Sequence, residues 1–353
     1  MRVYHFAHAH PSVEAFRALC TGREEDHRWW MAEDASAPSG EEARPDVIVV
    51  HRMKRPVSDW LQRFPDVPVV WVAWGDDYYR AFPGLMSQVH SPRTRRLALL
   101  IGKLSVTFPG LGRALMNGGG SGGSNPEHWI PRVHAASTLL GSAFPALPHL
   151  PPGAQMLHSW YNAFDYTRHE GLKANVRAEA VILGNSAGIA GNHLDGMHWL
   201  SRTTTKQEIR PVFVYGSKRV RWALDRLGRW RFGARWNPLQ TRMSKEDYLE
   251  WMCGAFAIVI PARRSVSAGT LFLSLWMGQK VVMHPLNPLF QAMRDKGFVV
   301  FNMEEMGDAG WAEPLPDADL ETNRRLLRTH YAEEAIHQSM DAYFASLRGG
   351  HSG

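Results

Sequence analysis

Short apolar runs, each followed by a stretch with helical spacing, recur from one end of the chain to the other. That alternation permits little besides an α/β architecture with parallel sheets. In the first half the runs are VYHFA (3–7), DVIVVH (46–51), PVVWVA (68–73) and AQMLH (154–158). In the second they are AVILG (180–184), PVFVYG (211–216), AFAIVI (255–260), KVVM (280–283) and FVVF (298–301). A chain of 353 residues exceeds one ordinary core, so two domains are expected. The charged, weakly periodic stretch YTRHEGLKANVRAE (166–179) is the natural junction. It divides the chain into a first domain over 1–170 and a second domain over 171–320, with 321–353 left as a helix packing on the body and free to cross back to the first domain. Leu326, Leu327, Ile336, Met340, Phe344 and Leu347 supply the apolar stripe of that helix. The segment MNGGGSGGSNPEHW (116–129) is too rich in glycine and serine to bury a core, and reads as a mobile surface loop or a lid.

Charge narrows the partners. A net charge of +6 and a pI near 9.4 favour a polyanion: nucleic acid, an anionic membrane face or a phosphorylated substrate. The cations are bunched. SPRTRRLALLIGK (91–103) sets them around an apolar centre, and SKRVRWALDRLGRWRFGARW (217–236) interleaves them with Trp222, Trp230 and Trp236. Such a mixture suits a membrane surface or a nucleotide-containing ligand, and equally a solvated helix face with its tryptophans turned inward. No apolar run approaches the roughly 18 to 20 residues of a membrane span, and MRVYHFAHAH carries no secretory core, so a cytosolic location is expected. The only cysteines, Cys20 and Cys253, stand far apart and read as ordinary thiols, suggesting neither a disulfide framework nor a cysteine zinc site. The 17 histidines show no H-E-x-x-H spacing, and no G-x-S-x-G elbow marks a serine hydrolase.

Three stretches have the residue types of a ligand site. VILGNSAGIAGNHLDGMHWL (180–200) leaves an apolar run, turns through Gly184, Gly188 and Gly191, and enters a helix. Glycines permit the backbone angles of a tight turn, and free N–H groups at a helix start bind anions, so the stretch is either a structural turn or a phosphate cradle. Asn185 and Ser186 would be its hydrogen-bonding side chains; His193, beside Asn192 and Asp195, is either a ligand contact or a structural histidine. In PARRSVSAGTLFLSLWMGQ (261–279), Ser267 or Thr270 could cap a helix whose N–H groups face a diphosphate, with Arg263 or Arg264 adding charge. A capped helix with solvated arginines is the plain alternative. In WGDDYY (74–79), Asp76 and Asp77 follow a strand, where open α/β folds keep their ligands. One of them could act as a base toward an acceptor hydroxyl, or the pair could hold a divalent metal.

The order WGDDYY, GNSAGIAGNHLD, FVYG, MSKEDYLEWM, SAGTLFLSLWMGQKVVMHPLNP resembles the bacterial TDP-N-acetylfucosamine:lipid II N-acetylfucosaminyltransferase family, also called 4-alpha-L-fucosyltransferases. The resemblance spans about residues 67–305 and is strongest over 180–293. It implies a GT-B-like α/β fold, two Rossmann-like domains facing across a cleft, and transfer of a deoxy-amino sugar from a dTDP donor to a lipid-diphosphate-linked saccharide in bacterial surface polysaccharide (enterobacterial common antigen) assembly. The family's first motif maps onto Trp74, Gly75, Asp77 and Tyr79, with Asp76 between, as the acceptor side. Its second maps onto Gly184, Asn185, Ser186, Asn192 and His193, with Gly191 in place of one asparagine. Tyr215 and Gly216, then Gly269 and Thr270, follow in register; Arg263 and Ser267, read from the helix start itself rather than from the family's motifs, join them as candidate donor contacts.

On this reading Asp77 is the acceptor-side base and His193 a phosphate or base-assisting contact. No metal and no cofactor are required. The partners implied are a dTDP-sugar, a lipid-linked saccharide and an anionic membrane surface, with peripheral attachment at the cytoplasmic face of the inner membrane and no nucleic acid. Two readings compete: a catalytically silent nucleotide-sugar-binding or scaffold protein of a polysaccharide assembly complex, and a nucleic-acid site built on the basic, tryptophan-bearing segments.

Overall fold

A computed structural model describes residues 1–34, 44–53, 57–74, 76–81, 88–102, 129–138, 150–160, 163–175, 180–203, 206–266, 268–306 and 313–349. The chain divides into two compact units. One comprises 1–83, 119–164 and 330–353; the other comprises 84–118 and 165–329.

The first unit holds a parallel six-stranded sheet in the order β2-β1-β3-β4-β5-β6. Its strands are β1 (Arg2–Ala7), β2 (Asp26–Met31), β3 (Val47–His51), β4 (Val69–Val72), β5 (Val133–Ser137) and β6 (Gln155–Leu157). Every residue of β3 and β4 is buried, because helices cover both faces of a parallel sheet and leave no polar side. Among its helices are α1 (Pro11–Leu19), α2 (Val57–Trp60) and α3 (Asp76–Ala81). Val13 and Phe16 of α1 join Val3, Val49, Val70 and Trp160 in one core.

The second unit holds a parallel five-stranded sheet in the order β11-β10-β9-β7-β8. The strands are β7 (Ala180–Leu183), β8 (Glu208–Pro211), β9 (Ala257–Ile260), β10 (Lys280–Met283) and β11 (Phe301–Asn302). Its helices include α4 (Pro92–Leu100), α5 (His193–Leu200), α6 (Lys218–Phe232), α7 (Lys245–Cys253), α8 (Ala268–Met277) and α9 (Pro288–Asp295). Leu97 of α4 packs with Met197 and Leu200 of α5 and with Val220 and Leu224 of α6 over Val181 and Leu183. Helix α8 buries Leu271, Phe272, Leu275 and Trp276, each contributing about 1.5–3 kcal/mol of burial.

Near the C-terminus α10 (Asp317–Tyr331) and α11 (Glu333–Gly349) replace the single expected helix. Ile336, Met340 and Phe344 of α11 lie in the core of the first unit.

Both sheets have the same strand order when read from their own first strand: 2-1-3-4-5, with a sixth strand added in the first unit. In that doubly wound order the chain leaves the first strand in one direction and the third in the other. The crevice between their C-terminal ends is where such sheets bind ligands. The two switch points are therefore the β1/β3 edge and the β7/β9 edge.

Candidate functional site

At the β7/β9 edge the chain leaves β7 through Gly184, whose φ of +64° is a left-handed conformation that side chains resist. Its N–H donates to the carbonyl of Val259 (2.8 Å), which ties the turn to β9. Steric contact fixes the residue too: a Cβ at Gly184 would stand 2.5 Å from His193 Nε2, and one at Gly191 would stand 2.5 Å from His193 Cε1. The imidazole thus lies between the two glycines. It is only 2% exposed, and neither ring nitrogen has a hydrogen-bond partner among the described residues. Burial holds its pKa down to about 4, so the ring is neutral, one nitrogen a donor and the other an acceptor. A buried polar group left unpaired costs free energy, and its usual explanation in a native fold is a ligand or water that completes it.

The neighbouring turn is joined to this one. Ala187 N–H donates to the carbonyl of Tyr215 (2.6 Å) and Ser217 N–H donates to that of Ala187 (3.2 Å). Gly216 has φ +115°, and a Cβ there would come 2.4 Å from the Ala187 carbonyl carbon, so only glycine fits. Tyr215 beside it is 60% exposed. Asn185 and Ser186 are half-buried, and neither side chain makes a hydrogen bond among the described residues.

Asn192 does something else than contact a donor. It is fully buried in a left-handed conformation (φ +49°), and its amide donates to the Val89 carbonyl (2.7 Å) and accepts from Ser91 N–H (3.1 Å). That side chain is spent on anchoring the chain ahead of α4. Gly196 allows α5 to press on the sheet, since a Cβ there would meet Leu183 at 2.6 Å.

On the β9 side, Arg263 and His284 face the same edge. The Arg263 Nε is buried without a hydrogen-bond partner among the described residues, and burial together with the Arg263 charge holds His284 down to about 4. His284 Nδ1 accepts from Leu286 N–H (3.0 Å), so its proton sits on Nε2. Asn287 braces the turn by donating to the Ala262 carbonyl (3.0 Å) and capping α9 at Leu289 N–H (3.0 Å). At the start of α8, Thr270 lies beside the Tyr248 phenol, whose pKa is raised mainly by burial and further by nearby Tyr215, with Thr270 opposing the rise. Gly269 is exposed and a Cβ there would meet nothing within 4 Å, so packing does not require glycine at that position. Ser267 lies outside the described residues.

The β1/β3 edge of the first unit brings together His10, Arg52 and Trp74. The Arg52 guanidinium lies 5.4 Å from the Trp74 ring centre and the His10 ring packs edge-on at 4.5 Å. Arg52 has φ +65°, a strained value for a residue with a side chain, and such strain clusters at ligand sites.

Asp77, expected to be a base, is only 2% exposed and its carboxylate is fully engaged. Oδ2 accepts from Met53 N–H (2.8 Å) and Trp71 Nε1–H (2.9 Å); Oδ1 accepts from Trp74 N–H (2.9 Å) and Tyr78 N–H (2.9 Å). Four donors favour the ionised form and leave no lone pair pointing at an acceptor hydroxyl, so the residue clamps the turns after β3 and β4. Tyr79 is likewise buried, at 4% exposure, against Tyr78. Asp76 opens α3, and Gly75 lies outside the described residues. His10, Arg52, Tyr248 and His284 carry no motif spacing in the sequence; only the strand order places them at the switch points.

No family model matches the chain, and no curated protein matches it in sequence. Solved structures do match over its whole length. Sucrose-phosphate synthase from Thermosynechococcus elongatus superposes with a TM-score of 0.60 at 9% identity, covering 99% of this chain and 100% of that one. The lipopolysaccharide outer core galactosyltransferase WaaB in its apo form gives 0.58 at 7% identity, covering 98% and 99%. Anabaena HepE in complex with UDP-glucose gives 0.56 at 10% identity, covering 98% and 100%. At these identities the likeness speaks for architecture: the chain has the α/β, GT-B fold of these glycosyltransferase structures, with two Rossmann-like units.

Proposed function

We propose that the protein is a glycosyltransferase whose donor, a nucleotide diphosphate sugar, sits at the β7/β9 edge of the second unit. The observation that carries this reading is His193, buried, neutral and unpaired between Gly184 and Gly191. The side chains of Asn185 and Ser186 and the Arg263 guanidinium add donors at the same strand ends. As the glycosidic bond to phosphate breaks, negative charge grows on the leaving diphosphate, and preformed donors aimed at it stabilise the transition state. Tyr215 and Tyr248 supply aromatic faces for a base. HepE, which shares the fold, was solved with UDP-glucose, which supports a nucleotide-sugar partner.

The order of motifs supports a finer assignment: a dTDP-activated deoxy-amino sugar of N-acetylfucosamine type, transferred to a lipid-linked saccharide in bacterial surface polysaccharide assembly. His10, Arg52 and Trp74 then serve the acceptor in the first unit. The enzyme works at the cytoplasmic face of the inner membrane. Supporting this is a surface of α4, α5 and α6 where Leu100 (85% exposed) and Trp230 (80% exposed) stand among Arg93, Arg96 and Arg231 around a groove of about 280 Å³. Large apolar side chains ringed by arginines suit an anionic bilayer. Incubation with dTDP-N-acetylfucosamine and a lipid-linked disaccharide should yield the extended lipid and free dTDP; dTDP binding without either product would leave the silent binding protein as the better reading.

A further inference from the structure

A second group of unusual side chains lies within the first unit, away from the β1/β3 turns. Strands β1 and β2 pair in parallel with Val3 opposite His27 and His5 opposite Trp29, which puts His5 and His27 on one face of the sheet. Helix α1 covers that face, and Cys20 at its C-terminal cap reaches the two rings. One ligand atom from each of His5, Cys20 and His27 lies within 4.8 Å of the others. His5 is fully buried, Cys20 is 6% exposed and the His27 side chain 6%.

The surroundings of this triad are those of ligand imidazoles. His5 Nε2 and His27 Nδ1 face each other at 2.8 Å. The opposite nitrogens face further polar groups: His5 Nδ1 stands 3.0 Å from His51 Nε2, within hydrogen-bond reach, and His27 Nε2 stands 3.7 Å from the Glu25 carboxylate, without a hydrogen bond among the described residues. A metal-bound histidine characteristically donates its second N–H to such a group, which turns the lone pair toward the ion; His51 is placed to do this for His5, and Glu25 lies beside the second nitrogen of His27. Glu25 is itself held in place by Arg23 (3.1 Å) and Arg348. Trp29 stacks on His5 with ring centres 4.0 Å apart and locks its plane.

We propose that His5 Nε2, His27 Nδ1 and Cys20 Sγ form a binding site for zinc or a similar thiolate-accepting divalent cation. Two Zn–N bonds of about 2.0–2.1 Å at a tetrahedral angle separate the nitrogens by about 3.3 Å. Binding opens the present contact by about half an ångström: the proton that His27 Nδ1 donates to His5 Nε2 moves to His27 Nε2, beside Glu25, and both facing lone pairs are then free for the ion. On binding, the Cys20 S–H bond gives its proton to solvent and the thiolate becomes the third ligand; the fourth position goes to water. Sequence spacing gives no sign of this site, because the ligands come from two strands and a helix cap rather than from one loop.

The site is independent of the sugar-transfer reading, and its test requires no turnover. Cobalt(II) is titrated into the full chain, followed by the near-ultraviolet thiolate-to-cobalt band and the visible bands of tetrahedral cobalt, then displaced with zinc. One equivalent should bind with a thiolate band that persists in Cys253→Ser, where Cys20 is the sole remaining thiol, and vanishes in Cys20→Ser. His27→Gln should lower cobalt affinity at least tenfold and abolish the zinc-dependent rise in melting temperature seen in the unsubstituted protein. Absence of a thiolate band in Cys253→Ser, or its survival in Cys20→Ser, would overturn the proposal even if the variants prove less stable.

Discussion

Two polar motifs sit at strand ends in the two units, WGDDYY after β4 and GNSAGIAGNH after β7, and the fold treats them in opposite ways. Asp77 in the first accepts four hydrogen bonds from its own chain. The His193 ring in the second makes none among the described residues. Both are buried, so the contrast lies in satisfaction rather than exposure. A saturated polar group supports the fold, whereas a buried one without a protein partner beside a glycine turn is a candidate to receive a ligand or a water.

The largest effect is expected at Asp77. Asp77→Ala should cost about 3–5 kcal/mol in urea denaturation, because four buried donors lose their acceptor. A variant of unchanged stability with abolished turnover would restore the residue to catalysis. Next in size is Gly216→Ala, where the new methyl meets the Ala187 backbone and the left-handed φ is disfavoured. A loss of about 2 kcal/mol is expected, with nucleotide binding lost alongside.

His193→Leu should act in the other direction. Its stability near neutral pH should change by less than about 1.5 kcal/mol, while nucleotide affinity falls about tenfold, the worth of one hydrogen bond to a charged group. The same variant sharpens the pH dependence. His193 binds its proton at about 4 when folded and near 6.5 when unfolded, so the unfolded chain takes up protons first as pH falls. Stability is then fully present above about pH 6.5 and is lost as pH drops toward 4, with His284 and His51 adding losses of the same sign. In His193→Leu the unfolding free energy should fall less steeply over that window, by about one proton. The smallest effect is expected at Trp230→Ser: stability within about 0.5 kcal/mol, but weaker sedimentation with anionic vesicles.

Much of the fold is legible because buried parallel strands are uninterrupted apolar runs. AVILG, AFAIVI and KVVM end on β7, β9 and β10. The strands that escape such a reading have a different pattern. β2 reads DHRWWM, an edge strand with alternating exposure, and β5 reads VHAAS, whose alanines and serine carry little apolar signal. PVFVYG has the composition of a strand, yet β8 runs from Glu208 to Pro211 and the residues after Val212 form the turn toward α6. Periodicity cannot separate a strand from an apolar turn that packs on its neighbour.

At the site, the glycines and His193 are visible as a stretch, but their geometry is not. Asn192 resembles a ligand contact because its type suits one; only the bonds to Val89 and Ser91, about a hundred residues away in sequence, show it to be an anchor. Likewise, of three tryptophans in the basic segment, Trp222 and Trp230 are exposed while Trp236 is buried, its indole donating to Asp225 (3.0 Å).

The most direct test of the central claim is a calorimetric titration of the protein with dTDP, UDP, GDP and CMP, repeated on Asn185→Ala and Arg263→Ala. The account predicts saturable binding of a nucleoside diphosphate, dTDP tightest, weakened about tenfold or more in both variants. Equal binding in wild type and variants, or no binding of any of the four, would contradict a donor site at the β7/β9 edge.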